Sequence, residues 1–324
     1  MDRVCQPRGN KACVGICMVT VLALALLAGH GLAQDRPGSA SLELKLEIGK
    51  TTLVFGEPVY ATVRLINTGQ APVKVSRLLD PQTGGVHIEV ASPSRPRFIY
   101  LPLFVSDAVE TRASALAPGE EIAAAFPIFY GALGWTFHRP ETYGIVAGYG
   151  YSSGAQHVLV QSNPVSVAVV DEGGAGALLM GGTPASEEAG KFLLWQRGDH
   201  LEAGQALLTD LLKTFPDSPV ADYARLAFGR NLSRSFRNYA VGRIRPADCE
   251  AALEYFRKVR TDRLPALLQV QQHLDEARCL TRLSKPDQAE ASLKQAKQAD
   301  GDRPEFRRLF QQAVRLEPAL MRAP

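Results

Sequence analysis

The spacing of apolar side chains divides this 324-residue chain into stretches of different period. Val14 to Ala28 is a continuous apolar run of about 15 residues, short of the ~20 that a spanning helix needs. From Ser41 the period becomes two. Leu42, Leu44, Leu46 and Ile48 alternate with Glu43, Lys45 and Glu47, the pattern of a half-buried strand. Val59 to Ile66 alternates similarly and stops at the turn Asn67-Thr68-Gly69. Val73, Val75, Val86, Ile88 and Val90 continue the series, and Pro118-Gly119 marks a turn before Ile122 to Tyr130. Thr142 to Tyr151 and Gln156 to Val160 read as a hairpin around Ser152-Ser153-Gly154, and Pro164 to Val170 closes the series. Short strands with Gly/Pro turns and no helices between them predict an antiparallel β-sandwich over 41–170.

Residues 171–186 carry five glycines and read as a flexible linker. From Glu187 the period is 3.6. Leu201, Leu208, Leu211, Leu212 and Phe215 form one stripe; Val220, Tyr223, Ala224, Ala227 and Phe228 form the next. Further helices are predicted around Ala247–Arg260, Ala266–Leu283, Asp287–Ala299 and Pro304–Leu316. Prolines at 216, 219, 246, 265, 286 and 304 punctuate the joins, since Pro suits a first turn and breaks an interior. Helices of 12–18 residues with short joins suggest antiparallel pairs. The expected class is therefore multidomain, all-β followed by all-α, with a tail at 317–324.

The leading apolar run follows Arg3, Arg8 and Lys11 and ends in Gly31-Leu32-Ala33, so residues 1–33 read as a secretory signal cleaved before Gln34. A membrane association is expected only if that signal is retained. The mature chain would be exported, to the periplasm or the medium. Its formal charge drops from +3 to about +1, which demands neither a nucleic acid nor a membrane surface. Cys5, Cys13 and Cys17 leave with the leader, and Cys249 and Cys279 remain. In an oxidising compartment this pair could bridge, stabilising by roughly 3.5 kcal/mol on the chain-entropy model; two unpaired small apolar cysteines are the alternative.

Gly198-Asp199-His200-Leu201-Glu202-Ala203, followed by Leu207, Leu211 and Phe215-Pro216-Asp217-Ser218-Pro219, resembles a tetratricopeptide repeat of exported bacterial proteins. Ala277, Leu280, Ala289, Leu293 and Ala296 repeat the offsets, while the lead-in from Tyr239 to Arg245 is irregular. Over 187–316 this resemblance implies protein–protein recognition on a helical surface. Gly56-Glu57-Pro58-Val59, Asn67-Thr68-Gly69 with Pro72-Val73, and Leu116-Ala117-Pro118-Gly119-Glu120 resemble proteinase-inhibitor-like immunoglobulin domains. Pro140-Glu141-Thr142-Tyr143 resembles the strand-entry tyrosine of such sandwiches.

Catalytic motifs are few. Gly150-Tyr151-Ser152-Ser153-Gly154 matches G-x-S-x-G, but a strand pattern follows where a nucleophile elbow needs a helix. There is no H-E-x-x-H, no paired-cysteine zinc spacing, and no glycine motif leading from a strand into a helix. No cofactor or metal is expected. Two other features stand out. Eight of the 24 aromatics fall between Phe126 and Tyr151, with Trp135 and Phe137 near a loop where they could stack on a glycan. Six arginines, including Arg230, Arg234 and Arg237 at i, i+4, i+7, lie in a stretch from Asp222 to Asp248 with no acidic residue between. That face could receive an acidic peptide or an anionic polymer. The expected function is an exported, non-enzymatic scaffold binding a protein through its helices. A carbohydrate or cell-wall module and a proteinase inhibitor are the alternatives.

Overall fold

The computed structural model describes residues 41–105, 113–153, 156–239, 241–300 and 303–316. The proposed leader, its three cysteines and the tail at 317–324 lie outside the described residues.

The N-terminal half is built of strands. They are β1 (Leu42–Ile48), β2 (Thr52–Val54), β3 (Tyr60–Asn67), β4 (Val73–Val75), β5 (Val86–Ser92) and β6 (Arg95–Ile99). Then come β7 (Ser114–Leu116), β8 (Glu121–Pro127), β9 (Tyr130–Gly131), β10 (Gly134–Trp135), β11 (Thr142–Ser153), β12 (Gln156–Gln161) and β13 (Val165–Val170). One sheet has the order β1-β3-β8 and another the order β2-β13-β11-β5-β6, with β12 also on β11; β4 pairs with β7, and β9 with β10. All these pairings are antiparallel except β13 with β2, which is parallel and departs from the all-antiparallel expectation. The alternation in β1 follows burial: Leu44 and Leu46 are buried while Glu43, Lys45 and Glu47 are exposed. Ala61, Val63 and Leu65 of β3 are wholly buried, as are Ile88 and Val90 of β5.

The C-terminal half holds eight α-helices among the described residues: α1 (Ala175–Leu179), α2 (Pro184–Trp195), α3 (Glu202–Thr214) and α4 (Pro219–Leu232), then α5 (Cys249–Phe256), α6 (Ala266–Arg282), α7 (Pro286–Asp300) and α8 (Arg307–Leu316). Two short strands, β14 (Phe236–Asn238) and β15 (Arg243–Arg245), form a hairpin in the irregular lead-in. Helix starts carry their own signals. Thr183 and Ser218 accept backbone N–H bonds two or three residues on, each followed by a proline. Asp248 caps α5 through the Ala251 N–H at 3.0 Å. Cys249 and Cys279 form a disulfide with Cα atoms 5.0 Å apart, joining α5 to α6.

The glycine-rich stretch 171–186 is not a flexible linker. Ala175 and Leu179 of α1 are buried in the common core, and α2 already begins at Pro184. The glycines serve contact. A Cβ on Gly176 would stand 2.3 Å from the Phe55 carbonyl oxygen, so only a glycine lets α1 lie on the strand end. Composition alone reads such a run as freedom; its use is close approach.

For the same reason the halves do not behave as two separate domains. Described residues from both belong to one hydrophobic core and one compact unit. The Tyr223 hydroxyl of α4 donates to Glu57 Oε1 at 3.2 Å, and Lys50 pairs with the same carboxylate at 2.5 Å. Gly190 of α2 fits against the Tyr130 ring.

Candidate functional site

Helix α6 presents Gln271, Asp275, Arg278 and Arg282 at helical spacing toward the end of α4. Arg230 is in the last turn of α4, and Arg234 follows just beyond it. These side chains surround a cleft of about 420 Å³. Among the described residues five arginines line it (Arg197, Arg230, Arg234, Arg278 and Arg282) with one acid, Asp275.

Asp275 takes three guanidinium groups. Arg230 Nε donates at 2.8 Å and Arg234 Nη2 at 2.9 and 3.0 Å, and Arg278 Nη2 donates to Oδ1. Burial would push the Asp275 carboxyl up, but the three arginines outweigh it and hold it at about 2. Arg230 is nearly as deeply buried as Arg278. Its Nη1 donates to the side-chain carbonyls of Gln196 and Gln271. Burial lowers its guanidinium to about 10 even beside Asp275. Gln196 holds a left-handed conformation, φ 53°, to end α2 and turn its amide toward Arg230. Arg234 leaves its Nε buried and without a hydrogen bond. Three guanidinium groups thus meet on one buried carboxylate, in a wall that is largely desolvated.

Two of the three arginines that stand out in the sequence meet here, and the third does not. Arg230 and Arg234 line the cleft. Arg237 lies on β14, its guanidinium 5.6 Å over the Tyr239 ring. The three therefore do not form one solvated helical face, because α4 ends at Leu232, before Arg234. Arg245 of the same run is structural. It pairs with Asp199 at 2.7 Å and donates to the Asn231 carbonyl at 2.8 Å. Asp275, Arg278 and Arg282 escape sequence reasoning, since a lone acid among basic and glutamine residues resembles an ordinary wet helix face. Their i, i+3, i+7 spacing was the available signal.

The aromatic pair is less exposed than its place near a loop suggests. Phe137 is buried and meets Tyr143 edge-on at 5.0 Å. Trp135 is half-buried against Phe129 and Tyr130, and its indole N–H donates to Ser186 Oγ at 3.3 Å. Phe137 therefore offers no face for stacking, and Ser186 of α2 takes the N–H of a Trp135 ring that stays partly accessible. Tyr143 has a structural hydroxyl, donating to the Arg139 carbonyl at 3.0 Å and accepting the Arg139 N–H at 3.1 Å. Burial pushes it up to about 12. Gly150 to Ser153 run within β11, and the next described element is the strand β12. Among the described residues no cluster of three metal-ligating side chains occurs, and no helix is long and apolar enough to cross a membrane.

No protein-family profile matches the chain, and no curated protein matches it in sequence. Solved structures do match in part. The CARDB domain of a Pyrococcus furiosus protein, in complex with di-metal ions, is 14% identical over 41% of this chain and 96% of that one, with a TM-score of 0.23. A β-glucosidase from Listeria innocua, in complex with isofagomine, is 20% identical over 40% of this chain and 16% of that one, at 0.23. A multi-domain immunophilin from Arabidopsis thaliana is 11% identical over 73% of this chain and 93% of that one, at 0.26. Function therefore has to be argued from the chain's own side chains.

Proposed function

We propose that this protein is an exported, non-enzymatic interaction scaffold, and that its arginine cleft receives an acidic segment of a protein partner. In this reading the strand half is an immunoglobulin-like sandwich and the helical half a tetratricopeptide-like array. The observation that carries it is the charge imbalance at Asp275. Among the described residues one carboxylate serves three arginines, two more arginines border the same cleft, and a buried guanidinium N–H of Arg234 has no acceptor. Buried cations call for paired anions, and planar guanidinium groups suit carboxylates by bidentate contact. A disulfide tying α5 to α6 suits an oxidising compartment.

The test uses the full chain and a fluorescein-labelled peptide of alternating glutamate and serine. Binding is expected, weakening as salt is raised, and falling at least about tenfold in Arg282→Ser. A lysine–serine peptide should not bind. Equal affinity for both peptides, or an acidic peptide indifferent to Arg282→Ser, rejects the assignment.

A further inference from the structure

Between α4 and α5, the hairpin of β14 and β15 carries apolar side chains into water. Tyr239 is 84% exposed, Val241 62% and Ile244 58%. Scattered apolar residues are ordinary on a protein surface, whereas several gathered at one place mark a site of interaction.

The register sorts the two faces of the hairpin. Phe236 stands opposite Arg245, Arg237 opposite Ile244 and Asn238 opposite Arg243, and opposed residues share a face. Phe236 and Arg245 hold one face to the body. The Phe236 ring stacks on His200 at 5.9 Å; Arg245 pairs with Asp199 at 2.7 Å and donates to the Arg234 carbonyl at 3.2 Å. By alternation Arg237, Tyr239 and Ile244 project from the other face, and all three are exposed. The base of the hairpin is thus anchored while its tip and outer face meet solvent.

Two features decide what covers that face. The first is charge. Arg237 and Arg243 are exposed, neither makes an ion pair among the described residues, and no acidic residue occurs between Asp222 and Asp248. The Arg237 guanidinium lies 5.6 Å over the Tyr239 ring, so cation and aromatic reach the same surface. The second is size. Two strands of three residues offer far less than the ~800 Å² a side of a stable protein interface. Val241 and Ile244 give nucleic-acid bases nothing to stack on. A small apolar tip with a tyrosine and flanking arginines matches the boundary of a bilayer. There aliphatic and tyrosine side chains enter among the headgroups and arginines stay at the anionic surface. The nearly neutral sum of the chain's charges conceals this, because attraction to a surface is decided within a Debye length of it.

We propose that the β14–β15 hairpin docks the protein on an anionic lipid bilayer. Tyr239, Val241 and Ile244 enter the interface, and Arg237 and Arg243 meet lipid phosphates. The hairpin shares no residue with the lining of the arginine cleft, so lipid docking does not depend on peptide binding.

Co-sedimentation with vesicles of about one part phosphatidylglycerol to two parts phosphatidylcholine tests the assignment. The chain is used from Gln34, the expected product of signal cleavage, so that the apolar run at 14–28 cannot bind lipid itself. Every described residue lies beyond that point and belongs to one compact unit. Binding is expected. It should weaken at least about tenfold on pure phosphatidylcholine and in Arg237→Ser with Arg243→Ser, since each arginine near an anionic surface is worth about fivefold. Tyr239→Ser, Val241→Ser and Ile244→Ser together should also cost at least about tenfold, and because these positions are exposed the fold is retained. Failure to sediment at millimolar lipid overturns the proposal, as does binding that the apolar triple variant leaves unchanged. Sedimentation velocity without lipid tests the other occupant. Self-association that the triple variant abolishes would assign this face to a second copy and overturn the lipid assignment.

Discussion

Replacing Asp275 with asparagine keeps the shape of the α6 face and removes the one carboxylate that lines the cleft among the described residues. Three guanidinium groups then lose their contact with Asp275, with side-chain exposures of 10% for Arg230, 7% for Arg278 and 33% for Arg234. The magnitude follows from two directions. The Asp275 carboxyl is held at about 2 against an ordinary 3.8. A depression of that size is worth roughly 2–3 kcal/mol of stability in the ionised form. Removing one partner of a buried ion pair costs about 3–5 kcal/mol, because it also strands the cations. The expected loss at pH 7 is therefore about 3–5 kcal/mol, or on the order of 10 °C in Tm for a unit this large. Since the folded-state pKa lies below the unfolded value, the contribution is complete above about pH 4 and disappears as pH falls through about 2. Calorimetry of both proteins should show the same gap at neutral and mildly acidic pH, closing only under stronger acid. A gap below about 1 kcal/mol at pH 7, or one that widens on acidification, would show that Asp275 does not hold the three arginines together.

Reducing the disulfide should lower stability by about 3.5 kcal/mol, since it closes a loop of 30 residues; thermal melts with and without dithiothreitol would show it, and identical melts would contradict it. Gly204→Ala puts a Cβ 2.4 Å from the Ala189 backbone nitrogen and forces α3 off α2. The expected cost is about 1–3 kcal/mol, read from the urea midpoint, and an unchanged midpoint would show the helices can part freely. Tyr143→Phe removes both hydroxyl contacts to Arg139 and should cost about 1–2 kcal/mol in the same assay, with no change in peptide affinity.

Much of the architecture was legible because period is a physical consequence of burial. Leu44 and Leu46 face inward for the same reason that Glu43 and Lys45 do not. Pro219 announced the start of α4 locally, whereas Pro184, which opens α2, lies in the stretch that composition marks as linker. What the chain concealed was contact between distant segments. Gly176 reads as a hinge and is a close-packing point against Phe55. Arg230 and Arg234 read as a wet face because their partner, Asp275, is more than forty positions away. Trp135 reads as exposed because Ser186, which receives its N–H, belongs to a stretch that composition marks as linker. Spacing within one element reports which side is apolar. It carries no information about which other element covers that side, and the site is assembled from such coverings.

The cleft's role is tested most directly by hydrogen–deuterium exchange of the full chain with and without the acidic peptide. Slowed exchange is expected at the end of α4 and along the Gln271–Arg282 stretch of α6, with β1, β3 and β8 unchanged. Protection confined to the strands, or none at either helix while the peptide is bound, would contradict it.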